Sequence, residues 1–367
     1  MLAAYTGGAS VVKLSNAVKK GLNVLFWSFM ELEGNELKGS LTAKTIGPVY
    51  QALAKMNRKD VLHFVSFGGW NEKHTLAGTC GNVSCSGQAY AESFRSWNAK
   101  MKSDIPGFPG FAGIDWDLEG VNDLQSASNN FTLSTLQIML DMSKALGDDF
   151  LVSMVPPQSY FDCQDSGFDM SLENRAVSNP NFTYAGKNVY ALLFAKCPEC
   201  FDLVMVQLYE SYSAAGFELY WAGNLSNIDS PGWPRQGTES DMKSIIQKNM
   251  QCLATGWTVN FNGFWNMQNQ TLVVPPNKIV IGLANGWVLP VAPTFKVPFF
   301  AGKPSGEAWC DGVQSRDGVG ADRIRGFMYW VIASDDDNAT FLANLSSAMN
   351  DCVNDSVKLS QNLSVLV

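Results

Sequence analysis

Two histidines, His63 and His74, are all that the 367 residues contain. The pair Cys197-Pro-Glu-Cys200 has no second cysteine pair at ligand spacing. Together these absences argue against a zinc site. No run of 18 apolar residues occurs, so no segment has the makings of a membrane-spanning helix. Charge is sparse, at 16% of residues, and positive charge is in deficit: 26 Lys and Arg face 34 Asp and Glu, for a net charge of −8. That sign disfavours nucleic acid and anionic membranes as main partners and is compatible with a neutral one such as a polysaccharide. There is no internal repeat, no low-complexity tract and no interdomain linker. Nor does a Gly-rich nucleotide turn follow the first strand-like run, which disfavours a doubly wound open sheet.

What the chain does have is core-forming residues, at 46% hydrophobic, arranged in a repeating order. Eight apolar, β-branched runs read as strands, over residues 2–6, 23–29, 61–67, 111–118, 150–155, 201–208, 278–284 and 326–332. Helix-like stretches lie between most of them, near 46–56, 89–101, 132–146, 184–194 and 241–253, and one near 338–350 closes the chain. Strand–helix alternation of this kind implies a parallel sheet closed on itself, a (β/α)8 TIM barrel, with residues 1–367 forming a single domain with long loops.

The fourth run carries the chemistry: Phe111-Ala112-Gly113-Ile114-Asp115-Trp116-Asp117-Leu118-Glu119-Gly120. Side chains alternate along a strand, so Asp115, Asp117 and Glu119 share one face while Ile114, Trp116 and Leu118 share the other. Asp117 and Glu119 lie about 7 Å apart at Cα, close enough for their carboxyl tips to meet. A semi-buried carboxylate pair raises one pKa and yields a general acid that keeps its proton near neutral pH. A calcium loop is the competing reading, but its twelfth position would be Ser126, which cannot close the coordination shell. A merely solvated acidic edge strand is the other.

In a barrel of this type functional residues sit at the C-terminal ends of the strands. Trp27 ends the second run, Gly68-Gly69-Trp70 the third, and Gln207-Leu208-Tyr209-Glu210 the sixth; Trp287 follows the seventh and Trp330 lies in the eighth. Aromatic rings in such places suit the apolar faces of pyranose sugars.

Eight cysteines and nine Asn-x-Ser/Thr sequons, at Asn82, Asn130, Asn181, Asn224, Asn269, Asn338, Asn344, Asn354 and Asn362, point to a disulfide-bonded glycoprotein of the secretory route. The start, Met1-Leu2-Ala3-Ala4-Tyr5, has no signal-peptide core and reads as a mature or truncated beginning. Cys80–Cys85 is the one bridge expected outright, and Cys163 is expected to pair with Cys197 or Cys200.

The acidic run resembles the D-G-x-D-x-D-x-E signature of glycoside hydrolase family 18, the chitinases and their relatives. Ser66-Phe67-Gly68-Gly69 is similar to that family's S-x-G-G, Gln207-Leu208-Tyr209 to its sixth-strand motif in the Gln-x-Tyr form of hevamine-like members, and Trp330 to its eighth-strand Trp. The resemblance implies a secreted, monomeric enzyme acting on chitin or N-acetylglucosamine oligosaccharides, with no metal or organic cofactor. It implies Glu119 as the acid, Asp117 as the group that orients the substrate acetamide, Asp115 as its proton-sharing neighbour and Tyr209 as a phenol donor. Gln207, Glu210, Trp330, Trp27, Trp70, Trp287, Gly68 and Gly69 would line the substrate site. Two positions depart from the pattern. Ala112 replaces the first Asp and should lie with Ile114 and Trp116 or in the turn entering the strand; Glu210 stands where Asp or Asn is usual. The connection from the seventh to the eighth run spans about 40 residues, too short for the insertion of some processive members, which implies a shallower, open groove. Other readings on the same scaffold are an endo-β-N-acetylglucosaminidase acting on N-glycans and a chitin-binding lectin without catalysis.

Overall fold

Alternation of side chains along eight parallel strands sorts the buried residues into two cores, one inside a barrel and one between the barrel and its helices. A computed structural model describes residues 1–72, 79–80, 83–123, 125–147, 149–172, 184–209, 213–215, 239–284 and 324–347. The order is β1 (Leu2–Tyr5), α1 (Val11–Lys19), β2 (Val24–Glu33), β3 (Glu36–Gly39), α2 (Ala43–Lys55), β4 (Leu62–Gly69), β5 (Thr79–Cys80), β6 (Val83–Ser84), α3 (Gly87–Asp104) and β7 (Gly113–Leu118). There follow α4 (Leu133–Leu146), β8 (Leu151–Met154), α5 (Val189–Lys196), β9 (Leu203–Gln207), α6 (Glu239–Thr255), β10 (Trp257–Asn260), β11 (Asn269–Leu272), β12 (Ile279–Ala284) and β13 (Gly326–Trp330). Residues 340–347 are helical.

Parallel pairing runs β1-β13-β12-β9-β8-β7-β4-β2, and β2 pairs back onto β1, which closes an eight-stranded (β/α)8 barrel. Ala3 and Tyr5, Val24 and Phe26, Phe64, Val155, Leu203 and Met205, Val280 and Met328 fill its interior. The alternate residues, among them Leu25, Trp27, Val65, Ile114, Trp116, Val152, Val204, Ile281 and Tyr329, pack outward against the helices. Trp116 is fully buried in that outer layer, where its indole N–H donates to Ser143 Oγ at 2.9 Å.

The helices begin where short polar side chains can accept the free first-turn amides. Ser10 accepts from Lys13 N, Ser86 from Ala89 N and Thr132 from Thr135 N, each contact contributing about 1 kcal/mol. Asn188, at φ +48, sets the start of α5 later than the sequence pattern suggested. Its side chain accepts from Asp162 N and donates to the carbonyls of Asp165 and Gly167, which ties the start of α5 to the segment after β8. Helix α1 and the β2–β3 and β10–β11 hairpins were not anticipated; each is too short to show a clear period. Among the described residues, no helix is long and apolar enough to cross a membrane.

The cysteine expectation needs correction. Cys163 pairs with Cys252, not with Cys197 or Cys200, which pair with each other. The segment after β8 runs against α6, so that Cys163 meets Asn249 and Cys252 there. Cys197 and Cys200 face one another across a single turn, with Cα atoms 5.3 Å apart. Cys85 is disulfide-bonded; the side chain of its expected partner, Cys80, lies outside the described residues.

His63 sits on the outer face of β4, accepting a hydrogen bond from Trp27 Nε1 at 3.0 Å, with its ring against Tyr50 and Phe108. Burial lowers its pKa to about 4. The neutral form is therefore the folded form, and the stability it supports is complete above the unfolded-state value near 6.5 and drains away as pH falls toward 4. Denaturant titrations should show the native protein losing about 3 kcal/mol more than His63→Gln between pH 6.5 and pH 4.

Candidate active site

β7 turns Asp115 and Asp117 into the barrel, and Glu119 follows just past its end; all three are buried. Asp115 lies deepest. Its Oδ2 accepts from Tyr5 OH at 2.5 Å and from Ser66 Oγ at 2.7 Å, and its Oδ1 accepts from Ser153 Oγ at 2.6 Å. The three hydroxyls come from β1, β4 and β8, and register places Ser66 and Ser153 directly beside Asp115 on its two neighbouring strands. Burial raises the Asp115 pKa to about 6, against the opposing pull of the Ser153, Tyr5 and Ser66 hydrogen bonds. Burial and then the Asp115 charge push the Tyr5 phenol well above its ordinary value, so it remains a donor.

One layer up, Gln207 at the end of β9 joins the two outer acids. Its Nε2 donates to Asp117 Oδ1 at 2.9 Å, to Glu119 Oε1 at 3.3 Å and to the Val155 carbonyl at 2.7 Å. An amide NH2 beside two carboxylates has one favourable orientation, with its hydrogens toward the acids. Tyr209 stands two residues past Gln207 and is 8% exposed, close enough to Tyr5 for the two phenols to interact electrostatically. Trp330 ends β13, half-exposed, with its ring stacked on Phe29 at 5.8 Å and tilted against Tyr5 at 5.4 Å. The Ser28–Phe29 and Trp330–Val331 peptide bonds beside these rings are cis. Trp70 borders the same end of the barrel: its Nε1 donates to Asn122 Oδ1 at 3.0 Å, lacing the loop after β4 to the loop after β7.

Gly68 and Gly69 contribute backbone, not side chain. Both have positive φ, at 105° and 96°. A Cβ on Gly68 would stand 2.4 Å from the Asp117 carbonyl oxygen, and one on Gly69 would stand 2.6 Å from the Phe29 ring. The pair lets β4 lie close against the acidic strand and leaves Phe29 its place beside Trp330.

Trp27 does not join this group. Val24 and Phe26 point inward, so Trp27 points outward into the helical layer, where it meets His63. Phe29, two residues on, is the aromatic that β2 presents to the site. Ala112 packs on the barrel interior, not with Ile114 and Trp116; it lies just before β7 begins at Gly113, where its N–H donates to His63 O at 2.7 Å and its carbonyl accepts from Leu151 N at 3.0 Å. Glu210 and Trp287 lie outside the described residues. Tyr5 and Ser153 were missed by sequence reasoning. Their inward parity on the first and fifth strands was the available signal, but the register that sets them against Asp115 was not.

With this geometry, the likeness to known structures is one of fold. No family model matches the chain, and no curated protein sequence matches it. The C-terminal domain of Legionella pneumophila ChiA superposes with a TM-score of 0.52 at 15% identity, over 94% of this chain and 96% of that one. A family GH18 chitinase from Cycas revoluta, solved in complex with allosamidin, gives 0.52 at 13% identity over 95% and 99%. A chitinase from Rhizomucor miehei gives 0.50 at 13% over 95% and 99%. The chain thus has the barrel fold found in family 18 chitinases, matched along nearly its whole length.

The glycine pair supplies a test of the close approach. Gly68→Ala combines a disfavoured φ with a clash against backbone that cannot swing aside, so denaturant unfolding should show a loss of at least about 2 kcal/mol. An unchanged midpoint would mean that β4 and β7 stand further apart here.

Proposed function

We propose that this chain is a secreted chitinase of glycoside hydrolase family 18, cleaving β-1,4 linkages between N-acetylglucosamine units with retention of configuration. The observation that carries the reading is the Gln207 amide bonded to both Asp117 and Glu119, above an Asp115 wrapped by three hydroxyls. A plain structural barrel gains nothing from three buried carboxylates in a row.

In this mechanism Glu119 protonates the glycosidic oxygen, and the bond to the leaving sugar breaks as the substrate's own acetamido carbonyl oxygen attacks the anomeric carbon. Asp117 accepts from the acetamide N–H and offsets the positive charge of the resulting oxazolinium ion. Asp115, with a pKa near 6, is poised to exchange proton density with Asp117 in the working range. Tyr209 donates its hydroxyl to the acetamido group, and Trp330 with Phe29 forms an aromatic floor. Glu119 then takes a proton from a water whose oxygen bonds to the anomeric carbon; the bond to the acetamido oxygen breaks, the oxazolinium ring opens and the acid is restored.

Secretion is part of the proposal and is supported by the disulfides and the sequons: Asn130, Asn269 and Asn338 are exposed to attachment. The same acidic constellation would serve an endo-β-N-acetylglucosaminidase acting on N-glycan cores.

Incubation with chitooligosaccharides and with a high-mannose glycoprotein separates these readings; shortened oligomers are the expected result. Released glycans would select the glycosidase alternative, and binding without products a lectin. Glu119→Gln should lower kcat by about 10²–10⁴ while oligosaccharide binding by calorimetry persists. Retention of near-native turnover by that variant would sink the assignment of the acid.

A further inference from the structure

We propose that Tyr190, on α5, is a positioning residue that holds the acid-bearing end of β7 in its working conformation; the proposal rests on the hydrolase reading above. The reason lies in the hydrogen-bond ladder between β7 and β8. Trp116 pairs with Met154, and Trp116 O accepts from Val155 N at 2.9 Å. Continued by one step, the parallel ladder would send Leu118 N–H to the Val155 carbonyl and bring the N–H of residue 157 to the Leu118 carbonyl. Neither bond is made in this protein. Residue 157 is proline and has no N–H. The Val155 carbonyl accepts instead from Gln207 Nε2, the amide that also holds Asp117 and Glu119.

A single hydroxyl makes up both deficits. Leu118 N donates to Tyr190 OH at 2.8 Å, and Tyr190 OH donates to Leu118 O at 3.0 Å. The phenol behaves as the missing rung of the sheet at the one residue that separates Asp117 from Glu119. Its own geometry is defined by packing: Tyr190 is fully buried, parallel to Tyr160 at 6.5 Å and edge-on to Phe131 at 5.9 Å. Burial and then the nearby Asp117 charge keep the phenol protonated, so the donor half of the contact is always available. Without the hydroxyl, two main-chain groups in a dry site lose their partners, and the strand end must turn to find others. That turn would carry both carboxylates away from the Gln207 amide.

The test is Tyr190→Phe, which keeps the ring, compared with Phe131→Leu, which loosens the same packing but leaves the hydroxyl. Steady-state kinetics on a chitooligosaccharide and thermal unfolding are measured for both. Tyr190→Phe should lower kcat by about tenfold or more with KM changed by less than about threefold, because a small displacement of the acid affects the transition state more than ground-state binding. Phe131→Leu should lower the melting temperature while kcat stays within about twofold. Near-native kcat in Tyr190→Phe would overturn the proposal. So would an equal kcat loss in Phe131→Leu at a matched melting temperature, since packing alone would then account for it. If the native protein turns over neither a chitooligosaccharide nor a high-mannose glycoprotein, the hydrolase reading falls and the proposal with it; native turnover undiminished in Tyr190→Phe removes the proposal alone.

Discussion

A carboxylate inside a barrel persists only while donors face it, and that requirement organises the centre of this protein. Asp115 has no access to water and is met by hydroxyls from three other strands. Each donor depends on strand register, and a slip of one residue would replace it with an outward-facing apolar side chain. The chemistry and the fold therefore share one constraint: closing the barrel in this register is what makes the buried acids tolerable.

The two layers of the site divide the work. The lower layer, Tyr5, Ser66, Ser153 and Asp115, is saturated with hydrogen bonds and gives one carboxyl group a pKa near 6. In the upper layer one amide, that of Gln207, reaches two carboxylates and a carbonyl. A base closed in by hydroxyls suits a site in which the acids above it must exchange protons with a substrate while the base stays in place. Pro157, past the end of β8, offers the Leu118 carbonyl no N–H, and Tyr190 takes both main-chain groups of Leu118, which frees the Val155 carbonyl for Gln207.

Much of this was legible in the residues. The parity of β7 announced three acids on one face, whereas Gly68 and Gly69, expected to line the substrate site, contribute backbone at the end of β4 with positive φ values. Trp27 shows where such reasoning fails. Proximity to a strand end suggested a place in the site, yet the inward parity of Val24 and Phe26 turns it toward His63. Cys163 fails for another reason: its partner is 89 residues away on α6, and no local pattern encodes that meeting.

The sequence by itself determined the strand–helix repeat, the acidic face and the elements carrying Gln207, Tyr209 and Trp330, because side-chain period and motif spacing are local properties of the chain. Only the tertiary structure decided which hydroxyls surround Asp115, that Gln207 bridges Asp117 and Glu119, and that Tyr190 completes the edge of β7. Those contacts join residues separated by 38 to 110 positions. They come into being only when the barrel closes and the register between its strands is set.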